Sequence, residues 1–596
     1  MSAKKIAIGC SCGFWGDSPS AAGQLVESGQ INYLVADYLS EITMALLARA
    51  RQKNPETGYT PDFIESIAPL LSSIKEKNIR VVTNAGGINP LACKIALEKT
   101  AQEKGVTLKI AVVEGDDLMP VIEGIKKSVD NLPQNIISCN AYLGARPIAA
   151  ALDAGADIVI TGRCADSALA LGILMHEFGW RDDQYDLLAA GSLAGHIIEC
   201  GAQTTGGAFT DWEKTADGWD NMGYPIVECT ADGSFIVTKP DNTGGLVSPH
   251  TVAEQLVYEI GDPAAYILPD VVCDFTNVTL TQAGPNRVQV TGAKGHAPTP
   301  TYKVSTTWNN GWRIIATLMV GGRSAAAKAR KMGESIVKRA ERLIVAREFE
   351  PWPAQDIEVI GSGDTYNRFD AHAREVILKV GLRHDKKEAL EIFSKEFFQA
   401  VTAMAQGTTG VFGGRASPSP VVELFSFLID KKKLAVKITL EGRNIPVTIS
   451  SGQPLTKAPI ALPAAEPSPA VCASVSLADL ALTRSGDKGN DCNIGVIARR
   501  PEFVPVLRRE LTPERVCAAF AHYAKGPVLR WELPGIHAFN FLLQDALDGG
   551  GMASLRYDAQ GKAWGQMLLD IPVSVPAAWV KPGGVLADAE ILEKAA

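Results

Sequence analysis

ADIVITGRCADSALALG, running from Ala156 to Gly172, decides how the N-terminal half of this chain is built. Ile158, Val159 and Ile160 form a short unbroken apolar run, Gly162 breaks it, and the Ala/Leu-rich residues that follow have helical character. A strand therefore hands over to a helix through a turn that carries Arg163, Asp166 and Ser167. The same grammar recurs at KIAIGCS from Lys5, IRVVTNAGG from Ile79, LKIAVVEGDD from Leu108 and NIISCNA from Asn135. Helical patterns such as GQINYLVADYLSEITMALLARARQK and NPLACKIALEKTAQEKG lie between them. Near-continuous apolar strands alternating with amphipathic helices predict an α/β domain over residues 1–200, with a parallel sheet covered on both faces. Ligands of such sheets bind beyond the carboxyl ends of the strands, which is where the polar turns collect here.

The grammar changes near Gly201. GAQTTGGAFTDW, YPIVECTADGSFIVTKP and RVQVTGAKG read as hairpin-forming strands and turns. Strong helices are expected over about 322–347 and 386–406, with IEVIGSGD and AREVILKVGL as strands between them. Residues 201–450 thus read as an α+β lobe packed on the first domain. SGQPLTKAPIALPAAEPSP, residues 451–469, is rich in Pro, Ala and Ser and reads as an extended linker. Residues 470–596 then read as a small α/β module with a ferredoxin-like order of elements. Its expected order is strand–loop–strand through TRSGDKGNDCN, a helix, the segment ELPGIHAFNFLLQDALDGG, and strands in SLRYDAQGKAWGQMLLDIPVSVP.

A chain of 596 residues exceeds one ordinary core, and its 46% apolar content is enough to fill two or three. Lys and Arg number 58 against 66 Asp and Glu, so no basic excess invites a nucleic acid. Eleven scattered cysteines form neither a disulfide framework nor a zinc-ligand spacing. No segment is long and apolar enough for a membrane span, and the N-terminal apolar run is too short for a signal sequence. The expectation is a reduced, soluble, cytoplasmic protein.

Two sets of motifs carry a resemblance to a known family. One is IGCSCGFWGDS, TNAGGINP, VVEGDDL and VITGRCADSAL; the other is LADLALTRSGDKGNDCNIGVIARR with ELPGIHAFNFLLQDALDGG. Together they resemble the acyclic terpene utilisation (AtuA) family and its ferredoxin-fold module. The resemblance implies a bacterial cytoplasmic protein of acyclic terpenoid breakdown, in which citronellyl and geranyl groups travel as CoA thioesters.

The turns supply the candidate site. In TNAGGINP, Gly86 and Gly87 permit positive φ and bare N–H groups, Asn89 suits a helix cap and Pro90 the first helical position; Asn84 precedes them. Such a turn can be an anion nest or an ordinary βα turn. Arg163 at a strand end can meet a carboxylate or phosphate bidentately, with Asp166 as an acid/base or as a structural partner. Glu114, Asp116 and Asp117 can raise one another's pKa for proton transfer, ligate Mg2+ or Mn2+, or simply decorate a helix start. Cys10 and Cys12 offer a nucleophile or plain small-residue packing. Asn140, Thr204 and Thr205 can hydrogen-bond a ligand or shape turns. Arg484 and Lys488, in the densest polar loop of the C-terminal module, can bind an anionic arm or interlock with the first domain.

The expected function is an enzyme acting on a branched, carboxylated acyl-CoA by hydratase or lyase chemistry through an enolate. Arg163, Asp166, Glu114 and Asp116 are its catalytic candidates; Asn84, Gly86, Gly87, Asn89, Asn140, Thr204, Thr205, Arg484 and Lys488 are its substrate-binding candidates. CoA enters only as part of the substrate, no resident metal or other cofactor is expected, and the protein is expected to be a homo-oligomer. A non-catalytic partner subunit and a metal-dependent hydrolase are the alternatives.

Overall fold

The computed structural model describes residues 4–410, 413–455 and 471–592; most of the expected linker, from residue 456 on, lies outside them. Six strands organise the N-terminal part: β1 (Lys5–Cys10), β2 (Tyr33–Ala36), β3 (Arg80–Thr83), β4 (Ile110–Glu114), β5 (Ile136–Ala141) and β6 (Ile158–Thr161). Five of them run parallel in the order β1-β2-β3-β6-β4. Their side chains are buried almost throughout, as a sheet covered on both faces requires.

Two strands depart from expectation. Tyr33–Ala36 lies inside a stretch that reads as helix, yet it forms β2. A four-residue apolar run in an Ala/Leu-rich context has no periodicity that separates strand from helix. Ile136–Ala141 reads as a parallel strand but β5 leaves that sheet and pairs antiparallel with the long strand Thr301–Gly321. An apolar run fixes burial, not the direction of its partner.

The open edges of the parallel sheet are extended rather than left bare. On one side the hairpin Ile226–Thr230/Phe235–Thr238 and then Arg287–Thr291 and Thr279–Gly284 add antiparallel strands; on the other, Lys437–Leu440 and Arg443–Ile445 do the same. The result is one eleven-stranded sheet that runs through both of the first two expected regions. GAQTTGGAFTDW, expected as hairpin material, instead folds into short 3-10 turns (Gly201–Gln203, Trp212–Lys214).

The second sheet is built on Thr301–Gly321, which pairs with Glu375–His384, Ser419–Asp430 and β5, with Ala354–Ile360 outside Glu375–His384. The helices Ala325–Val345 and Lys387–Phe397 cover it. In the first, Ala329, Met332, Ile336, Ala340 and Ile344 recur at helical spacing and form the buried stripe.

The C-terminal module has a four-stranded antiparallel sheet in the order Ala481–Lys488, Asp491–Ala498, Ala538–Leu543, Val528–Leu533. A two-stranded ribbon, Cys472–Ser476 with Pro572–Pro576, lies beside it. WGQMLL within the last stretch expected as strands is a helix, Trp564–Leu569.

The module is keyed to the rest of the chain by buried amides. Asn493 Oδ1 accepts from the Glu259 N–H at 2.7 Å, and Asn540 Nδ2 donates to the carbonyls of Ile260 and Gly261 at 3.0 and 2.6 Å. Arg499 grips Asp211 bidentately at 2.8 and 2.7 Å. Gly495, in the middle of its strand, leaves room for Val257: a Cβ there would sit inside that side chain. Gly495→Ala therefore overpacks the joint, at about 1–3 kcal/mol. The expected outcome is a lower urea midpoint followed by tryptophan fluorescence, and an unchanged midpoint would show that the 249–260 segment yields.

Candidate functional site

The carboxyl ends of the parallel strands each present a polar group. Asp37 follows β2, Asn84 follows β3, Arg163 follows β6 and Asp116 follows β4. Arg163 dominates them, because its guanidinium is only 4% exposed. It donates to Asp166 Oδ1 at 2.5 Å and to the Cys164 carbonyl at 3.1 Å, and it lies 4.2 Å above the Tyr142 ring. Tyr142, just past β5, donates its hydroxyl to Glu41, and Lys303 stands 3.7 Å from the same carboxylate. Burial works against ionisation of Glu41, but Lys303, Arg163 and the Tyr142 hydroxyl bring its pKa down to about 2. Glu41 is thus a fixed negative charge beside the guanidinium.

Asp37 behaves in the opposite way. Burial and the neighbouring Asp166 carboxylate push it well above the usual carboxylate range, against the pull of Arg163 and Asn84. Asn84 does not point at a ligand. Its Nδ2 donates to Asp37 Oδ1 at 2.6 Å while its Oδ1 accepts from the Tyr38 N–H at 2.8 Å, so it clamps the acid in place.

Asp116 is the rear support of the same turn. One oxygen accepts from the Arg163 N–H and from Asn140 Nδ2, both at 2.9 Å, and a Cβ on Gly162 would strike the carboxylate. Burial raises Asp116 to about 7. Both Asp116 and Asn140 thus hold the backbone of Arg163 rather than a ligand.

Other expected site residues are drawn elsewhere. Glu114 lies 3.8 Å from Lys437 across the sheet edge, and Asp117 accepts from the Met119 N–H, so the three acids after Val113 do not converge. Among the described residues no cluster of three or more His, Cys, Asp or Glu is arranged to hold a metal ion. The expected anion nest is closed: Gly87 and Asn89 donate to Asn84 and Gly86 carbonyls, and Ile88 donates to the Gly58 carbonyl. Gly86 and Gly87 serve packing instead, since a Cβ on the first would collide with the Thr161 carbonyl and on the second with Leu47. Asn89 caps the helix Pro90–Glu103 and binds the carbonyls of Pro55 and Thr57. Thr205 donates to the carbonyls of Ala202 and Gly223, and Thr204 is buried beside it without a hydrogen-bond partner for its hydroxyl. Burial pushes the Cys10 and Cys12 thiols up, away from the thiolate.

The C-terminal module adds further charged groups to this region. Arg484 ties the module to Gln203 and the Ala208 carbonyl and lies 4.5 Å over the Tyr258 ring. Lys488 reaches over Tyr266 at 5.7 Å, facing Glu199 and Glu259. Lys562 joins Glu259 at 3.0 Å to Asp487 at 3.2 Å, and Asp487 faces Glu41. Arg163, Asp166, Glu199, Lys488, Glu259, Lys562, Asp487 and Glu41 thus form one circuit of charges that act on one another, joined by ion pairs at Arg163–Asp166 and at Lys562. Half of it comes from the parallel-sheet rim and its flanks, half from the joint with the C-terminal module.

Sequence reasoning missed Asp37, Glu41 and Glu199. Asp37 carried a signal, because YLVA followed by a polar residue repeats the pattern of RVVT–Asn84 and IVIT–Gly–Arg163. Glu41 and Glu199 are ordinary in sequence and are brought in by tertiary packing alone.

No curated protein matches this chain. A crystal structure of S. aureus homoserine dehydrogenase at pH 6.5 aligns over 62% of this chain and 81% of that chain, at 11% identity and a TM-score of 0.10, too low to bear on fold or function. The family model of the acyclic terpene utilisation protein AtuA matches residues 6–440, and that of the AtuA ferredoxin-like domain matches residues 475–574. The chain therefore belongs to the acyclic terpene utilisation family AtuA and carries that family's ferredoxin-like domain as its C-terminal module.

Proposed function

We propose that this protein is an acyl-CoA hydratase or lyase of acyclic terpenoid breakdown, acting on a branched, carboxylated acyl group through an enolate. The observation that carries this reading is the almost fully buried Arg163 guanidinium at the sheet rim, held by Asp166 and the Tyr142 face, with Asp37, whose pKa burial and the Asp166 carboxylate push up, at the same rim. Both forms of catalysis in question need an anionic oxygen stabilised in a site of low polarity and a proton delivered nearby. Arg163 supplies the first. It is fixed by Asp166 and by the Tyr142 face, so little reorganisation is needed when charge develops on a thioester oxygen. Asp37 supplies the second, because a carboxyl group raised by burial keeps its proton where a free aspartate has lost it. A carboxylate on the same circuit removes the proton α to the thioester; Asp166 and Glu199 are the two whose charges act on Asp37. The belt of lysines, Lys303, Lys488 and Lys562, suits the carboxylate or phosphate groups of such a ligand, and CoA is then part of the substrate rather than a resident cofactor. A cytoplasmic homo-oligomer is the setting that this chemistry suits.

The test is incubation with a panel of branched, carboxylated acyl-CoA thioesters, followed by mass spectrometry for the gain or loss of water or for cleavage of the acyl chain. Arg163→Lys keeps the charge but loses the planar fork, and turnover is expected to fall on the order of a hundredfold with the fold retained by circular dichroism. An undiminished rate in that variant would remove the assignment.

Asp37 makes a separate prediction about pH. A proton donor is depleted as pH rises through its raised pKa, so turnover in the wild-type protein is expected to decline on the alkaline side. In Asp37→Asn the rate is expected to be low at all pH values and to lack that limb. A variant that keeps the wild-type profile would assign the proton to another group.

A further inference from the structure

The buried helix Tyr185–Ile198 runs into a histidine–glutamate pair, His196 with Glu199, whose histidine has no role above and whose glutamate is so far one of two candidate bases. His196 is enclosed within the core, its ring 6.4 Å from Phe275 and 5.8 Å from Tyr266. Its Nε2 is 3.1 Å from the Leu256 carbonyl and its Nδ1 is 2.9 Å from Glu199 Oε1. A carbonyl only accepts, so Nε2 must carry a hydrogen. One further proton is left for the line between Nδ1 and Glu199: the pair is either imidazolium with carboxylate or imidazole with carboxylic acid.

We propose that Glu199, oriented by His196, is the base that takes the proton α to the thioester, with His196 as its positioning residue. The inference rests on the enolate reading given above and names the group that reading leaves open. Three observations support it. A carboxylate at the C-terminal end of a helix lies at the wrong end of the dipole, so the helix itself does not explain its presence. The bond to His196 is its only side-chain hydrogen bond among the described residues, and at 14% exposure the side chain is not sealed from solvent. Asp166, its rival, already spends Oδ1 on Arg163 at 2.5 Å.

The groups that face the pair are Cys10 from β1, Asp37 after β2, Asp166 after β6, the adjoining Cys200, Tyr266, and Lys488 from the C-terminal hairpin. Burial and Asp166 push Glu199 up, while His196 and Lys488 act against them. In the dehydration direction the α-proton passes to Glu199 and the C–H electron pair forms the enolate, whose oxygen rests on Arg163. Re-formation of the carbonyl breaks the bond to the β-oxygen, which leaves with the Asp37 proton as water. Glu199 has gained a proton and Asp37 has lost one, and transfer between these two acids, which face each other, restores the site. Hydration runs the same steps backwards.

The experiment follows α-hydrogen exchange in D2O with whichever thioester of the panel the full-length protein turns over. Glu199→Gln is expected to lower exchange by about a hundredfold or more, and Glu199→Asp to recover part of it. His196→Asn removes the ring charge that favours the ionised form, so the pH at which exchange half-rises is expected to move up by about one unit. In histidine-labelled protein, the His196 Nδ1 proton is expected to be strongly deshielded by NMR and to lose that shift in Glu199→Gln. Exchange that survives Glu199→Gln while Arg163→Lys is impaired overturns the base assignment alone. An unshifted pH profile in His196→Asn, or the absence of the deshielded proton, overturns the positioning role. A wild-type protein inert to the whole panel overturns the enolate reading and the base assignment together, while the NMR signal still judges the pair itself.

Discussion

A guanidinium almost withdrawn from water must be neutralised where it stands. Removing a cation of this size from solvent costs several kcal/mol even after relaxation. Around Arg163 the neutralisation is shared among Asp166, the ionised Glu41 and the face of Tyr142. Each of these brings another element with it: Glu41 the start of the helix Glu41–Lys53, Tyr142 the end of β5, and Lys303, through Glu41, the second sheet. Asp37 responds differently: burial and the Asp166 carboxylate push its pKa well above the usual carboxylate range. Replacing a buried charge cluster by apolar residues of similar volume is often neutral or stabilising, whereas removing one partner alone is costly. Under the proposed function the place of this cluster at the carboxyl rim of a parallel sheet has a chemical reason.

The reading of the sequence found this rim because rim and strand share a local signal. ITGRCAD, TNAGG and VEGDD each mark where an apolar run stops, and Arg163, Asn84 and Asp116 fall where that signal puts them. What local signal cannot give is the direction in which a polar residue is then used. Asn84 and Asp116 turn backward to hold Asp37 and Arg163, Glu114 goes to a strand more than three hundred residues away, and the glycines of TNAGG close on their own neighbours. These outcomes depend on strand order, and the insertion of β6 between β3 and β4 is not written in any one stretch. The helix Ala325–Val345, by contrast, shows its buried stripe plainly in its spacing.

The C-terminal module is more than an appendage on this scheme. Its hairpin tip supplies Asp487 and Lys488, and Lys562 follows from a later turn, so the circuit around Arg163 is open without it. The keys that seat it include buried amides beside the Arg499–Asp211 ion pair. Amide hydrogen bonds fix direction, and an unsatisfied buried partner costs about 1–3 kcal/mol. Asn493 and Asn540 therefore set the height and angle at which Lys488 faces Glu199.

The strand Thr301–Gly321 gives the architecture an unusual intolerance. Its first half is stitched to β5, with Val304 opposite Ala141 and the Tyr142 N–H donating to the Lys303 carbonyl. Its second half is stitched to Glu375–His384. Lys303 and Tyr142 are thus aligned by a ladder and not by contacts that can adapt one at a time. A residue inserted or deleted within the strand, between the part paired with β5 and the part paired with Glu375–His384, would put the two ladders out of step and turn one set of side chains to the other face. Point substitutions farther along the strand leave that alignment intact. Length, more than identity, is what this part of the chain must preserve.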